Sequence, residues 1–533
     1  MDRPTTRLLV LLLVFSLCIR LPFVGVPLER DEGVRAVIAQ GMLDGQLPYA
    51  DLYTNKPPGV LFIYALIFSL LGTSVEAIHL GLYLFSLAAV VLLFVLGLRL
   101  TGSRLAAFVA AFAFSVTSMS PRVYGTAANL EQFMALPIVL GALLLWRGLE
   151  RRSLSYLFLS GACAGGAMLI KQAGVFTMLF LLGVAAYELL ALRACTLRRF
   201  ALMTLALVGG AALVLGAALL YPWARGILGP ALRWTFVVTL PYVLEPSFSA
   251  PKFLAVTESI VGEHPLVYAL AAIGLGAALA RPSRTHGILL SWTVLSACSL
   301  LPGMRFIRHY YILLLLPVSL ASGIGARVLL TYLAKLRAPA LRAAAFGALA
   351  VVAIVFPVRA YMPYVAAPDA DAMSRLNHPY SFFPEARTAG AYIGRRTTPE
   401  ETILVAGNEP EIYHYAQRRS ATRHIGFFYL FKGYAGEGAM QREAYDEILR
   451  NNPAYIVRFY GPPSFEIEPG ADTYLLRSLD QLVSSRYALD GIGVCSTRAP
   501  AVRRCELGKA ARGVVPGRDE RVFMHLFRRV DER

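Results

Sequence analysis

The stretch LLVLLLVFSLCIRLPFVGV, residues 8–26, determines the class of this protein because it is apolar over almost its whole length. Arg3 and Arg7 precede it, as basic residues precede the apolar part of a signal peptide, but no small-x-small cleavage site follows before Val26. About twenty apolar residues in a helix cross a hydrocarbon core of ~30 Å. We therefore expect a retained first membrane span.

Similar apolar stretches recur along the first two thirds of the chain. The protein has 533 residues, of which 56% are hydrophobic and 16% charged, whereas soluble proteins carry about 25% charged residues. Spans are predicted at 8–28, 76–98, 105–120, 130–146, 154–170, 174–192, 200–221, 264–280, 286–302, 309–333 and 341–360. The sequence therefore predicts a polytopic α-helical membrane protein with about 11 transmembrane helices. The apolar segment 59–72 is short, so we favour a re-entrant or interfacial helix over a twelfth span.

The net charge of +17 is distributed in a way that indicates topology. Residues 364–533 hold 23 Lys and Arg against 21 Asp and Glu, so the excess lies in the membrane part. Arginines cluster in the short loops 147–152 and 193–199, and the positive-inside rule places such loops in the cytoplasm. The pattern does not indicate a nucleic-acid partner. It predicts a multi-pass protein of the inner (plasma) membrane whose first loop and C-terminal domain are extracytoplasmic.

Two domains are predicted. Residues 1–363 form a transmembrane domain with a long first outside loop at 29–58 and another at 222–262. The second loop contains five prolines, and we expect it to be irregular with one short helix. Residues 364–533 are numerous enough for a core of their own.

The C-terminal domain is predicted to be a small α/β domain. Thr402–Ala406 and Ala454–Arg458 have the composition of buried strands, while Glu385–Arg396 and Gln441–Arg450 are typical of helices. Outside the cytoplasm, Cys495 and Cys505 could form a disulfide. No CxxC motif is present to indicate zinc.

The first candidate site residues are Asp31 and Glu32, at the start of a predicted amphipathic helix after the first span. A carboxylate at the water–membrane boundary could take a proton from an attacking hydroxyl. The alternative is structural, because acidic residues also stabilise the positive end of a helix dipole.

The second candidate region is Tyr49-Ala-Asp-Leu-Tyr-Thr-Asn-Lys-Pro-Pro-Gly59. Two prolines suit the first turn of a helix, so Lys56 is expected just before a helix start, where backbone N–H groups also attract anions. Lys56 is therefore a candidate for binding a phosphate at headgroup level, and Tyr53 and Asn55 of the same segment are further candidate substrate-binding residues. The alternative for Lys56 is a lysine that extends to the interface without a ligand.

A third group lies on the same predicted outside face. Glu131 begins a span, where a carboxylate is costly unless it has a partner or a function, and Asn129 precedes it. The alternative is a solvated helix cap formed by this pair. Lys171 at the outside end of a helical hairpin could bind phosphate or only mark the turn.

These motifs together resemble a known family. Asp31-Glu32, then the Lys-Pro-Pro segment, then Ala128-Asn-Leu-Glu-Gln-Phe133 before a span resemble the GT-C class of membrane glycosyltransferases. The related branch is the bacterial one that contains protein O-mannosyltransferases and lipid A aminoarabinose transferase. Arg308-His-Tyr-Tyr-Ile-Leu-Leu-Leu-Leu-Pro317 resembles a motif that opens a late span there. The resemblance covers residues 25–320.

The resemblance implies a hexosyl or pentosyl transferase that uses a polyprenyl-phosphate sugar on the outer face, with inversion at C1. It implies that Asp31 is the catalytic base, with Glu32 adjacent, and that Lys56 binds the donor phosphate. Glu131, or Asn129 beside it, would occupy a second acidic position. Further candidates for the phosphate are Arg305, Arg308 and His309, and the alternative for His309 is an interfacial aromatic belt with its tyrosine neighbours.

Other functions remain as alternatives. A multi-span transporter or flippase would place charged sites near the bilayer midplane on broken helices, whereas the charged candidates here lie at one face. A non-catalytic cell-envelope assembly subunit is the second alternative. The acceptor is a lipid, a protein or a glycan. No cofactor is assigned, and dependence on a divalent metal is left open because few outside acids, and no pair of histidines, have ligand spacing.

Overall fold

The computed structural model describes residues 2–245, 247–280, 282–432, 436–462, 464–498 and 503–530. The helices of the N-terminal part are α1 (Arg3–Cys18), α2 (Arg30–Leu43), α3 (Pro58–Leu71), α4 (Val75–Thr101), α5 (Arg104–Thr117), α6 (Leu130–Glu150), α7 (Leu154–Ile170), α8 (Val175–Leu190), α9 (Leu197–Ala224), α10 (Leu228–Leu232), α11 (Leu240–Leu244), α12 (Ala250–Glu263), α13 (Pro265–Ala280), α14 (Arg284–Cys298), α15 (Ile312–Leu333) and α16 (Pro339–Val365).

Each of the eleven predicted spans overlaps one of these helices. Over the described residues, seven helices are long and apolar enough to cross a membrane, and α12 with α13, bent by 97°, would make an eighth. This confirms a polytopic helical membrane fold, while the number eleven stays a prediction. The 14 residues of α3 extend about 21 Å at ~1.5 Å per residue. That length is short of a ~30 Å hydrocarbon core.

Small residues allow the membrane helices to approach closely. A Cβ atom added at Gly161 of α7 would lie 1.9 Å from the Leu207 carbonyl oxygen of α9. A Cβ at Gly274 of α13 would lie 2.0 Å from the Ala321 oxygen of α15. Association in a membrane depends on such close packing because lipid tails provide little hydrophobic driving force between helices. The helix bundle is therefore specified partly by its glycines.

The segment 222–262 is mostly helical, so the prediction of an irregular loop with one short helix is wrong. It contains the end of α9, then α10, a π-helical turn at Arg233–Val237, α11 and the 14-residue α12. Pro241 and Pro251 occupy the first turns of α11 and α12. Proline is tolerated there because the first N–H groups of a helix lack intrahelical partners anyway.

The C-terminal part forms one mixed sheet covered by helices. Its elements are α17 (Ala370–Asn377), α18 (Phe383–Gly394), β1 (Ile403–Ala406), α19 (Glu411–Ala416), α20 (Glu437–Asn451), β2 (Tyr455–Phe459), α21 (Tyr474–Arg486), β3 (Tyr487–Ser496), β4 (Arg503–Leu507) and β5 (Glu520–Arg529). The strand order is β1-β2-β5-β3-β4, with β1 and β2 parallel and the other pairs antiparallel. Both predicted strands and both predicted helices of this part are confirmed within a few residues.

The cysteines of this sheet are not joined. Cys495 pairs with Arg503 across β3 and β4, and Cys505 pairs with Gly493, so the two thiols are offset in register. Both are free. The disulfide considered from the sequence is absent from this pair of strands.

Candidate functional site

Asp31 is held by the first turn of α2. Glu29 caps this helix through a capping box with Glu32, in which each side chain accepts a hydrogen bond from the backbone N–H of the other residue. The side chain of Asp31 is 41% exposed, and the Arg35 guanidinium of the next turn lies 4.0 Å away. Burial would raise the pKa of Asp31, but the charges of Arg35 and Lys56 outweigh it and lower the pKa to about 2. Asp31 is therefore an ionised carboxylate.

Glu32 has a different environment from its neighbour. Its side chain is 1% exposed and accepts hydrogen bonds from the backbone N–H of Ala128 and from His79 Nε2, at 3.2 Å. His79 Nδ1 in turn lies 2.8 Å from the Val24 carbonyl oxygen. The structure thus separates Glu32 from Asp31, and Glu32 fixes α2 to α4 and to the segment before α6. The sequence made both residues catalytic candidates, and the burial of Glu32 favours a structural role for this one.

Lys56 lies in a tightly held turn before α3. The Tyr49 hydroxyl donates to the Lys56 carbonyl oxygen at 2.7 Å, and Pro57 is the N-cap of the helix. Among the described residues, no carboxylate oxygen lies within 4.0 Å of the Lys56 amine. Burial and the neighbouring cations Lys171 and Arg35 lower the pKa of Lys56 despite the opposing effect of Asp31. The turn therefore presents an amine with no direct counter-ion.

Glu131 and Lys171, 40 residues apart, form an ion pair. Glu131 is 1% exposed, and its Oε2 has no hydrogen-bond partner among the described residues. The Lys171 amine lies 3.6 Å from the centre of the Tyr310 ring, a cation–π geometry. Lys171 is thus partly neutralised, which leaves Lys56 as the less compensated of the two lysines.

Two neighbouring cavities meet at these lysines. The first, which we call the polar cavity, has a volume of about 610 Å³ and lies between the first loop and the C-terminal domain. The second, the apolar cavity, has a volume of about 400 Å³ and lies between α8, the segment 235–243 and the start of α15. Both are lined by Asn55, Lys56, Lys171 and Tyr310.

The predicted site residues divide between these cavities and their surroundings. Those that line the polar cavity are Asp31, Tyr53, Asn55, Lys56, Lys171 and His309, and Glu131 lines the apolar cavity. His309 Nδ1 is buried without a hydrogen-bond partner among the described residues. The arrangement is a cationic junction between a polar and an apolar space, with an ionised carboxylate on the polar side. Such a junction suits an amphiphile with an anionic head group.

Besides Glu32, three predicted residues lie outside both cavities. Asn129 is fully buried as the N-cap of α6, so the alternative of a solvated cap with Glu131 is wrong. Arg308 lies over the Tyr124 ring, with 5.6 Å between its guanidinium carbon and the ring centre. Arg305 follows a 3-10 turn before α15 and lines neither cavity. These positions do not support direct contact of the three side chains with a ligand in either cavity.

Sequence reasoning missed four residues that line the polar cavity. Trp234 comes from the segment 222–262, and His424, Phe428 and Tyr429 come from the C-terminal domain. The aromatic residues of 424–431 are concentrated enough to have drawn attention, but no spacing links them to Asp31. Only the docking of the C-terminal domain brings them to the cavity.

The C-terminal domain docks directly on the helix that carries Asp31. Arg30 Nε donates to the Asn408 carbonyl oxygen at 2.5 Å, and its Nη2 lies 3.1 Å from Glu409, which is fully buried. A Cβ atom at Gly33 would lie 2.6 Å from the backbone nitrogen of Glu411. The C-terminal domain is therefore part of the wall around Asp31.

No group of three or more His, Cys, Asp or Glu residues in the described part of the chain is arranged to hold a metal ion. The sequence made no prediction for or against a divalent metal, and the question stays open.

Comparison with known proteins agrees with this architecture. Residues 55–229, about a third of the chain, match the family model described as dolichyl-phosphate-mannose-protein mannosyltransferase. The match begins at Asn55, beside Lys56, and includes Glu131 and Lys171. No curated protein matches the chain.

Solved structures share the fold. ArnT from Cupriavidus metallidurans bound to undecaprenyl phosphate is 16% identical with a TM-score of 0.60, over 84% of this chain and 92% of that chain. The Archaeoglobus fulgidus oligosaccharyltransferase in the apo form is 14% identical with a TM-score of 0.57, over 97% of this chain and 76% of that chain. The arabinofuranosyltransferase AftD from Mycobacteria is 16% identical with a TM-score of 0.52, over 99% of this chain and 40% of that chain. These matches confirm, at the level of the fold, the resemblance to the GT-C class.

Proposed function

We propose that this protein is an integral membrane glycosyltransferase that moves a sugar from a polyprenyl-phosphate donor to an acceptor hydroxyl, on the outer face of the cytoplasmic membrane and with inversion at C1. The observation that carries the proposal is the junction of the two cavities at Lys56 and Lys171. A polyprenyl phosphate has an apolar chain, an anionic head and a sugar beyond it. The apolar cavity, the lysines and the polar cavity match these three parts in the same order.

The proposed chemistry needs few groups because the phosphate is already a leaving group. The acceptor oxygen attacks C1 and forms the new glycosidic bond while the bond from C1 to the phosphate oxygen breaks. Asp31 takes the acceptor proton, and the polyprenyl phosphate leaves with the bonding electrons. Lys56 stabilises the negative charge that grows on the phosphate. Attack from the side opposite the phosphate inverts C1.

The test uses the purified protein in nanodiscs. Undecaprenyl phosphate should bind, and one member of a panel of radiolabelled polyprenyl-phosphate hexoses and pentoses should give label transfer to an acceptor in a membrane extract. Asp31→Asn should slow transfer by roughly 10²–10⁴-fold and retain binding. A flippase would instead move the labelled lipid between leaflets without cleaving it, and lipid movement without transfer would contradict the proposal.

The ArnT structure was determined with undecaprenyl phosphate, and an Archaeoglobus fulgidus oligosaccharyltransferase structure with a dolichol-phosphate and a peptide. Both ligands have the amphiphilic form that the junction suits. This supports a lipid-phosphate donor for the present chain, and it leaves the choice of sugar to the experiment above.

A further inference from the structure

One wall of the polar cavity is aromatic and is built from three separate segments. We call Tyr53, Trp234, Phe428 and Tyr429 the aromatic wall, and all four line the cavity. Tyr53 and Trp234 lie 4.5 Å apart between ring centres, Trp234 and Tyr429 6.0 Å, and Phe428 and Tyr429 5.1 Å. These separations fall within or at the edge of the range of favourable aromatic pairs. The wall is therefore a continuous packed surface.

The rings of the wall differ in what they leave accessible. Trp234 is 6% exposed and packs against its aromatic neighbours, so it braces the wall. Phe428 is 36% exposed, and Tyr429 is half-buried. The two C-terminal rings consequently offer the surface to a ligand.

Polar side chains border this aromatic surface. Asn408, Lys432 and Glu466 line the same cavity, and the Lys432 amine lies 5.0 Å from the centre of the Phe428 ring. The hydroxyl of Tyr53 donates a hydrogen bond to Glu443 at 3.1 Å and accepts one from Arg423 at 3.3 Å. The cavity thus combines an aromatic surface, in which the Phe428 and Tyr429 rings stand edge to face, with hydrogen-bonding groups at its edge.

We propose that the aromatic wall binds a sugar ring of the acceptor, so that the acceptor is a carbohydrate. This inference rests on the proposed function and names the acceptor class for the same site. A sugar ring has an apolar face of C–H groups and a rim of hydroxyls, which match the aromatic surface and its polar border. Asp31 lines the same cavity and would meet the acceptor hydroxyl at the reacting end.

The structure disfavours a peptide in this place. Peptides commonly bind by adding a strand to a free sheet edge, and the C-terminal residues that line the cavity belong to the segment 408–432 and to Glu466, outside the strands. The outer edge of β1 is occupied, because Ile403 pairs with Ser420. Acyl chains are also disfavoured, since the predominantly apolar lining is in the other cavity.

The test measures sugar binding by saturation-transfer difference NMR with the protein in nanodiscs that contain undecaprenyl phosphate. The probes are manno-, gluco-, galacto- and arabino-trisaccharides, each free and attached to a short isoprenoid chain, and a threonine-containing hexapeptide. At least one saccharide should receive saturation. Tyr429→Ala and Phe428→Ala should weaken its binding about tenfold or more, and Tyr429→Phe should retain most of it.

Tyr380→Ala is the matched control, because Tyr380 is an exposed tyrosine of the same domain that lies outside the cavity. Binding of both probe forms would indicate a glycan acceptor, and binding of the anchored form alone a glycolipid. Binding of the peptide alone, no saccharide binding, or saccharide binding unchanged in Tyr429→Ala would each overturn the inference. Affinity for undecaprenyl phosphate, measured in the same samples, tests the donor site separately and should be the same in all aromatic variants.

Discussion

At the scale of single residues, Asp31 and Glu32 show how neighbouring carboxylates acquire different environments. Consecutive side chains on a helix point about 100° apart, so only one of the two can face the cavity. Asp31 does so beside Arg35, whereas Glu32 is enclosed with His79 and Ala128. The sequence showed the pair but not which member is buried, because that depends on contacts with segments almost 50 and 100 residues away.

Asp31→Asn should lower kcat by roughly 10²–10⁴-fold and leave donor affinity almost unchanged. Since the pKa of Asp31 is about 2, the carboxylate stays ionised as the pH falls to about 4. We therefore expect no loss of kcat/KM between pH 7 and pH 4 that is due to protonation of Asp31 in the free enzyme. Initial rates in buffers of constant ionic strength would check both statements.

The control for this prediction is Glu32→Gln. It should lower thermal stability and impair catalysis less than Asp31→Asn, because it weakens contacts that position α2. Near-normal turnover in Asp31→Asn would leave that carboxylate with a structural function only.

Lys56→Met should weaken the binding of undecaprenyl phosphate by roughly 10- to 100-fold, since charge-assisted hydrogen bonds contribute about 1.5–3 kcal/mol. Lys56→Arg should recover part of the affinity, because the charge is retained while the donor geometry differs. Titrations in nanodiscs at two salt concentrations measure this, and the wild-type affinity should show the stronger salt dependence.

Lys252→Met is a matched control that removes a cation from the same polar cavity, away from the junction with the apolar cavity. It should change the affinity by less than Lys56→Met does. Equal effects of the two substitutions would show that the affinity depends on the general charge of the cavity.

At the scale of elements, α2 and α19 are in direct contact, and this contact connects the C-terminal domain to Asp31. Gly33 makes the contact possible because a Cβ atom there would overlap the backbone of Glu411. Beside it, Arg30, whose side chain is 30% exposed, forms an ion pair with the fully buried Glu409. Breaking one partner of such a pair leaves an uncompensated charge and is strongly destabilising.

Gly33→Ala should force α2 and α19 apart and reduce kcat at least tenfold, since overpacking against a backbone costs about 1–3 kcal/mol or displaces the helix. Gly166→Ala is the matched control, because Gly166 lies inside a helix and a Cβ atom there would meet nothing within 4 Å. It should be neutral or slightly stabilising. Measurements of the rate and the melting temperature of both variants decide whether the contact of α2 with α19 is needed for activity. Full activity of Gly33→Ala would show that it is not.

Glu411→Gln should stabilise the protein at pH 8 and have little effect at pH 4. Both carboxylate oxygens of Glu411 are buried without a hydrogen-bond partner among the described residues. Burial first, and then repulsion from Glu409, raises its pKa well above 4.5. The folded state therefore holds this proton more tightly than the unfolded state, and stability is lost as the pH rises from about 4.5 through the raised pKa. Glutamine removes that loss.

For Glu411→Gln at pH 8, the melting temperature should rise by roughly 2–4 °C for each kcal/mol gained in the free energy of unfolding. Arg30→Met provides the contrast, because it leaves the buried carboxylate of Glu409 without its ion-pair partner and should destabilise the protein at pH 8. A Glu411→Gln gain that is equal at pH 4 and pH 8 would exclude the ionisation of Glu411 as its cause.

The elements that the sequence predicted well are those with a strong local signal. Pro57 and Pro58 fix the start of α3 whatever surrounds them, and long apolar stretches give the membrane helices. The ion pair of Glu131 with Lys171 has no such signal, since it depends on how α6 packs beside the end of α7. The helices of 222–262 were missed because prolines were taken as breaks, although Pro241 and Pro251 begin helices.

At the scale of the whole molecule, the polar cavity exists only if the first loop and the C-terminal domain are on the same side of the membrane. The sequence predicted this from arginine clusters, through the positive-inside rule. The structure supplies an independent reason, since α2 and α19 are in van der Waals contact at Gly33. The residues of the aromatic wall could not be predicted, because their proximity to Asp31 results from this assembly and from no local pattern.

This common location can be tested by cysteine labelling. Asp44 in the first loop and Arg419 in the C-terminal domain are both exposed and line the same crevice of about 510 Å³. In a background without the native cysteines, Asp44→Cys and Arg419→Cys should both react with a membrane-impermeant maleimide in intact spheroplasts. Arg152→Cys, in a loop with clustered arginines, should react only after the membrane is permeabilised.

Labelling of Asp44→Cys and Arg419→Cys from opposite sides would be incompatible with the contact at Gly33. The shared cavity and the assignment of Asp31 would then fail as well. Labelling of both from the outside would place the proposed transfer on the face where a polyprenyl-linked sugar meets its acceptor.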